Sequence, residues 1–171
     1  MKHHIFINMM NPVQDKMYRL ARRLLVSKES AEDAVQEVML KLWARKDKLS
    51  SYDNVEAFAM TVTRNYCLDQ LKLKQNNNLR IVHSNYEDGN NSIQKNLEVQ
   101  DDLNWVQKII EALPEQQKVL IQLRDVEQYE YEEIAKMTEM QETAIRVALS
   151  RARKKIREEM LKKHRYGIKS N

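Results

Sequence analysis

The chain has 171 residues, of which 32% are charged and 42% hydrophobic, with 2 Gly, 2 Pro and a formal net charge of +4. So few helix breakers exclude a β-rich or loop-stapled fold and predict an all-α protein of one or two small domains. The single Cys67 excludes an internal disulfide and fits a reducing, cytoplasmic setting, and no apolar run is long enough for membrane insertion.

The opening MKHHIFINMM lacks the hydrophobic core of a signal peptide, and Ile5-Phe6-Ile7 is too short a β-like triplet to matter. The packed pattern begins only near Met9 and Met10, either of which can serve as the start. A first helix is predicted from Pro12, which suits a first turn, to Val26, with Val13, Met17, Leu20, Ala21, Leu24 and Leu25 as its buried stripe. Ser30 and Asp33 resemble a capping box, so a second helix is expected from Ala31 to about Asp47. Ala31, Ala34, Val35, Val38 and Leu42 face inward, and acidic residues crowd the first turns, as the helix dipole favours. KDKLSSYD reads as a polar loop. Asn54 caps a third helix, Val55 to Lys74, with Phe58, Val62 and Leu68 inward, Arg64, Lys72 and Lys74 outward, and Asn65 and Asp69 spaced to bond each other.

From Gln75 to Asp102 no periodicity persists, and the stretch is read as a flexible linker. A helix resumes near Leu103, and Pro114 starts another with Val119, Leu120 and Leu123 in its core. The stretch Tyr129–Arg157 then reads as a helix-turn-helix, with Ile145, Ala148, Leu149 and Ala152 on one face of its second helix. The other face carries Arg146, Ser150, Arg151, Arg153 and Lys154, a composition suited to the DNA major groove. Seven acidic residues and one basic residue lie between Asp125 and Glu142; nine basic and two acidic ones lie between Arg146 and Arg165. Such polarity directs one helix toward phosphate and keeps the other away. His3 and His4 are adjacent and His83 and His164 isolated, so no metal site is expected. No nucleophile–base set or phosphate-binding glycine loop is visible, so neither catalysis nor a cofactor is expected.

AEDAVQEVMLKLW, from Ala31 to Trp43, resembles region 2.2 of the extracytoplasmic-function (ECF) sigma factors of the sigma-70 family. AFAMTVTRNYCLDQLKLK, from Ala57 to Lys74, resembles their regions 2.3 and 2.4, and LPEQQKVLIQLRDVEQYEYEEIAKM with AIRVALSRARKKIRE resembles region 4. The resemblance implies a region 2 helical bundle over 10–74, a linker over 75–102 and a region 4 helix-turn-helix over 103–165. It implies core RNA polymerase and promoter DNA as partners, and an anti-sigma factor as regulator. Asp33, Gln36, Glu37, Leu42 and Trp43 would dock on the β′ clamp helices. Ser51, Tyr52, Arg64, Asn65, Asp69, Lys72 and Lys74 would capture the −10 element. Arg146, Ser150, Arg151, Arg153 and Lys154 would read the −35 element, with the preceding helices on the β flap. The alternative is a helix-turn-helix regulator that binds duplex DNA without polymerase; it leaves the acidic helix start and Trp43 without a role.

The sequence departs from the family pattern at several positions. Gln128 and Glu139 stand where the family usually has Gly, Glu130 and Gln141 where it has helix caps, and Ala148 where an Arg is common. A non-Gly residue at Glu139 implies a strained turn, and Ala148 removes one DNA contact.

Overall fold

A computed structural model describes residues 1–80 and 97–168. Eight α-helices and one π-helical turn make up this all-α structure, and no strand occurs among the described residues. Helix α1 (His3–Leu25), α2 (Lys28–Ala44) and α4 (Val55–Arg80) form the first bundle, with the single turn α3 (Lys46–Leu49) between. Helices α5 (Leu97–Glu111), α6 (Glu115–Ile121), α7 (Tyr131–Thr138) and α8 (Glu142–Ile168) form the second.

The stripes expected from periodicity in α1 and α2 are the buried faces. In α4 the expected Phe58, Val62 and Leu68 are only half-buried and Ala59, Met60, Thr63 and Cys67 are buried instead, because α4 packs on α1, α2 and α7 and has no single inner face. In α1, Val13, Met17, Leu20, Ala21, Leu24 and Leu25 are buried, as are Ala31, Ala34, Val35, Val38 and Leu42 in α2. Boundaries differ for identifiable reasons. Helix α1 begins at His3, so Pro12 lies inside it rather than in its first turn. The cost of an interior proline, about 3 kcal/mol, is opposed by burial of Phe6 and Met10, each worth about 1.5–3 kcal/mol. Phe6 meets the Trp43 ring edge-on at 5.1 Å, so the apolar stripe starts earlier than Met9. The cap of α2 is Ser27, not Ser30: its hydroxyl accepts from the Ser30 N–H at 3.3 Å.

KDKLSSYD is not wholly a loop, because Leu49 is fully buried and draws residues 46–49 into a helical turn. Asn54 caps α4 as expected, its Oδ1 accepting from the Ala57 N–H at 2.9 Å. That helix runs to Arg80, through Gln75 and three asparagines. Each of these costs only a few tenths of a kcal/mol relative to Ala, and propagation of a formed helix is cheap. The rest of the stretch read as a linker, 81–96, lies outside the described residues, whereas 97–102 is already helical in α5.

In the second bundle Pro114 precedes α6, which ends in a π-helical turn, Gln122–Val126. Its wider winding shows in the Glu127 N–H, which donates to the Gln122 carbonyl five residues back at 3.0 Å. The two bundles are not separate bodies. Helix α1 packs on α6 and the π turn, α4 packs on α7, and the buried side chains of both halves form one continuous cluster.

Candidate nucleic-acid interface

The helix-turn-helix consists of α7, a turn at Glu139–Gln141 and α8. Ile134 and Met137 of α7 and Ile145, Leu149 and Ala152 of α8 are buried, which fixes the crossing of the two helices. Glu139 adopts φ 57°, ψ 26°, the left-handed conformation that Gly takes without cost, and Gln128 also has positive φ, 61°. These are the two positions where the family resemblance led to the expectation of Gly. At Glu130 the helix start is served by Glu133, whose carboxylate accepts from the Glu130 N–H at 3.0 Å.

On α8 the basic face divides. Ser150, Arg151 and Lys154 are exposed, Lys154 within 3.9 Å of Glu158. Arg146 is exposed at its edge, but its guanidinium lies over the Tyr131 ring at 3.9 Å and 3.4 Å from Glu142. Arg153 is committed to its own domain, donating from Nε and Nη2 to both carboxylate oxygens of Asp125 at 3.1 and 2.5 Å. That two-bond pair raises the Arg153 pKa despite partial burial. The outer wall of the motif, Gln117, Gln141, Thr143, Val147, Ala148 and Arg151, borders an open groove.

In the first bundle, Asp33, Gln36 and Glu37 are exposed and share one face of α2. Leu42 does not join them: it is 1% exposed and belongs to the core. The apolar residue on the exposed face is Leu40, at 62% exposure, one turn from Gln36 and Glu37. The sequence reading did not name Leu40, although the period that turns Val38 and Leu42 inward turns it outward. Trp43 is half-buried between Phe6, His3 at 5.3 Å and Lys46 Nζ, 4.7 Å from its ring. His3, Phe6 and Ile7 thus join Gln36, Leu40 and Trp43 around one apolar groove, a contribution of the N-terminal turns that the sequence pattern did not indicate.

Tyr52 stacks on Phe58, centroids 4.2 Å apart and planes 12° from parallel, and remains 40% exposed. Beside it the Ser51 hydroxyl donates to the Lys48 carbonyl at 2.6 Å. Asn65, Asp69, Lys72 and Lys74 are exposed along α4. Asn65 does not bond Asp69; its Oδ1 accepts from Arg64 Nη1 at 2.9 Å, which turns its side chain along the helix surface. Arg64 is the exception to this exposure. It points into a recess lined by Gln116, Leu120, Thr138 and Met140 of the second bundle, and its buried Nε has no hydrogen-bond partner. Burial lowers its pKa, and the Glu139 carboxylate opposes that effect.

An exposed aromatic, a helix with exposed lysines, a helix-turn-helix and an acidic, apolar-centred helix face are the features of an all-α, two-part nucleic-acid-binding protein. A family model described as "Sigma-70 region 2" matches residues 9–76, and one described as "Sigma-70, region 4" matches residues 103–156. The chain belongs to the sigma-70 family and is a transcription initiation factor with the two-region layout of the ECF sigma factors. Its fold is similar to that of the sigma factor RpoE from Bartonella quintana, solved in complex with the anti-sigma factor NepR. The TM-score is 0.75 at 24% identity, over 92% of this chain and 96% of that one. No described helix is long and apolar enough to cross a membrane.

Proposed function

We propose that this sigma factor docks on core RNA polymerase through α2, captures the −10 element with the α3–α4 surface and reads the −35 element with α8. Residues 10–74 and 103–165 are the two working domains in this reading. The observation that carries it is the pairing, on one chain, of the acidic face Asp33–Gln36–Glu37 around Leu40 with the exposed basic face Ser150–Arg151–Lys154. An acidic rim around an apolar centre suits a basic helical partner, and polar α8 side chains suit base edges. Tyr52 offers a stacking face to an unpaired base, and Lys72 and Lys74 offer charge to the strand that carries it. Arg151 leads the −35 contacts, with Arg146 and Lys154 at the phosphates; Arg153 supports the helix. The chain acts as a binding subunit with no chemical step of its own. An anti-sigma protein is a fitting regulator, since the RpoE relative is held by one.

Reconstitution with core polymerase on a random promoter pool tests this. The complex should select promoters with two conserved elements. Asp33→Ala with Glu37→Ala should weaken polymerase binding by about tenfold, as expected for exposed contacts worth about 1.4 kcal/mol together. Promoter-independent output, or tight duplex binding with no gain of initiation, would return the protein to the class of ordinary helix-turn-helix regulators.

A further inference from the structure

The outward face of α8 has an apolar centre, set among its basic residues. Ile145, Leu149 and Ala152 are buried and fix the inward direction of this helix. At about 3.6 residues per turn, Val147 points almost directly away from them, with Thr143 one turn before it and Arg151 one turn after. Val147 is 49% exposed. Among the described residues of α8, the other large apolar side chain left exposed is Leu161, near the far end of the helix. Ala144 and Ala148 flank Val147 along the open groove that Arg151 borders.

The neighbouring cations are drawn away from this centre. Arg146 turns toward α7, over the Tyr131 ring at 3.9 Å and 3.4 Å from Glu142. Arg153 is held by Asp125, and Lys154 lies 3.9 Å from Glu158. One exposed valine on a helix is ordinary where nothing else marks its position. Here it stands in the first turns of the second helix of a helix-turn-helix, where base edges are touched. The helix itself gains nothing from it, since a β-branched residue is a weaker helix former than Ala, Lys or Arg. The major groove offers such a side chain one apolar group, the C5 methyl of thymine. A G·C pair set against Val147 would instead lose water from its N7, O6 and N4 groups without gaining a hydrogen bond.

We propose that Val147 is a specificity-determining residue of the −35 grip: it packs on the C5 methyl of a thymine and so requires an A·T pair where it lands. Thr143 and Ala144, one turn earlier, extend the same strip toward the neighbouring pair. The cations around it hold phosphate and supply affinity with little sequence preference. This assignment rests on α8 reading the −35 element, as proposed above.

The test uses the full chain bound to core polymerase, on a promoter recovered from the random pool. Each thymine of its −35 element, on either strand, is replaced in turn by deoxyuridine, which removes only the methyl group. At one position the exchange should weaken promoter binding about fourfold, equivalent to ~0.8 kcal/mol for one methyl-sized group taken from water. With Val147→Ala, whose side chain is too short to reach the methyl, thymine and deoxyuridine should bind alike at that position. The ratio is read within one protein, so a change in folding cancels. Val147→Ala should also leave the salt slope of binding unchanged, whereas Arg151→Ala lowers it by about 1. A −35 element without thymine, no methyl-sensitive position, or a deoxyuridine loss that persists in Val147→Ala overturns the proposal and leaves the initiation reading intact. A complex that selects no promoter overturns both.

Discussion

Among the described residues three hold positive φ without being glycine, and each does so where the chain must turn. Val26 (φ 65°, ψ −45°) sits in a tight γ-turn between α1 and α2, closed by the Ser27 N–H on the Leu25 carbonyl at 2.7 Å. Gln128 and Glu139 bracket α7. The left-handed conformation costs about 1–2 kcal/mol for a residue with a Cβ, while Gly loses about 0.5–1 kcal/mol of extra entropy on folding. The difference predicts that Glu139→Gly raises stability by about 0.5–1 kcal/mol. The loss of its exposed carboxylate opposite Arg64 subtracts little in solvent. Urea denaturation should show a higher midpoint at unchanged slope; a lower midpoint would mean that the Glu139 side chain contributes more than its backbone strain costs. The family resemblance pointed to this strain, because it marked a turn where Gly is usual and Glu139 stands instead. Val26 carried no such signal, since nothing nearby demanded positive φ.

At the scale of the element, the faces of α1 and α2 were legible, whereas helix ends, apart from the Asn54 cap of α4, were not. Periodicity placed the stripes of α1, α2 and α8 because burial of one face dominates their energetics. It missed the start of α1 and the turn at Lys46–Leu49, where single buried residues, Phe6 and Leu49, outweigh local propensity. The basic face of α8 is a further case: sequence spacing grouped Arg146, Arg151 and Arg153, yet Arg153 is bound to Asp125, 28 residues earlier. The two arginines should therefore separate experimentally. Arg153→Ala strips a bidentate partner from Asp125 and part of the support behind α8, and should lower stability by about 1–2 kcal/mol, a charged hydrogen-bond pair at a half-exposed site. Arg151→Ala should leave the melting temperature within about 1 °C, as for an exposed substitution, and reduce the salt slope of duplex binding by about 1. Equal effects of the two on both readouts would merge structural and DNA-facing roles that the geometry keeps apart.

At the scale of the whole molecule, the sequence divided the chain into two domains but did not reveal that they dock. The pairs that join them, Arg19–Glu127 and Glu56–Tyr129, are 108 and 73 residues apart and follow no repeat. Glu56 makes the docking sensitive to acid. Burial pushes its pKa up, but the hydrogen bonds from Lys16 and Tyr129 outweigh that and hold it below the usual glutamate value of 4.5. Tyr129, raised by burial first and then by its bond to Glu56, stays a protonated donor through neutral pH. Lys16 lies in the same bundle as Glu56, so of these bonds only that from Tyr129 is added by docking; it favours the carboxylate, and its contribution is present above the undocked pKa and lost as pH falls through the docked one. Lys16 and the Tyr129 hydroxyl are the groups that face Glu56 in the docked form. The inter-domain distance can be read between nitroxides at Glu29→Cys and Glu158→Cys, exposed positions on α2 and α8. It should hold from pH 7 to about pH 5, then lengthen below the ordinary glutamate range near 4. Glu56→Gln should start longer at pH 7 and respond less to acid, because its amide accepts more weakly and does not titrate. A distance that changes between pH 7 and 5, or an acid response of equal size in Glu56→Gln, would take Glu56 out of the contact and leave the Arg19–Glu127 and Arg23–Gln122 pairs and the shared apolar cluster to hold the domains.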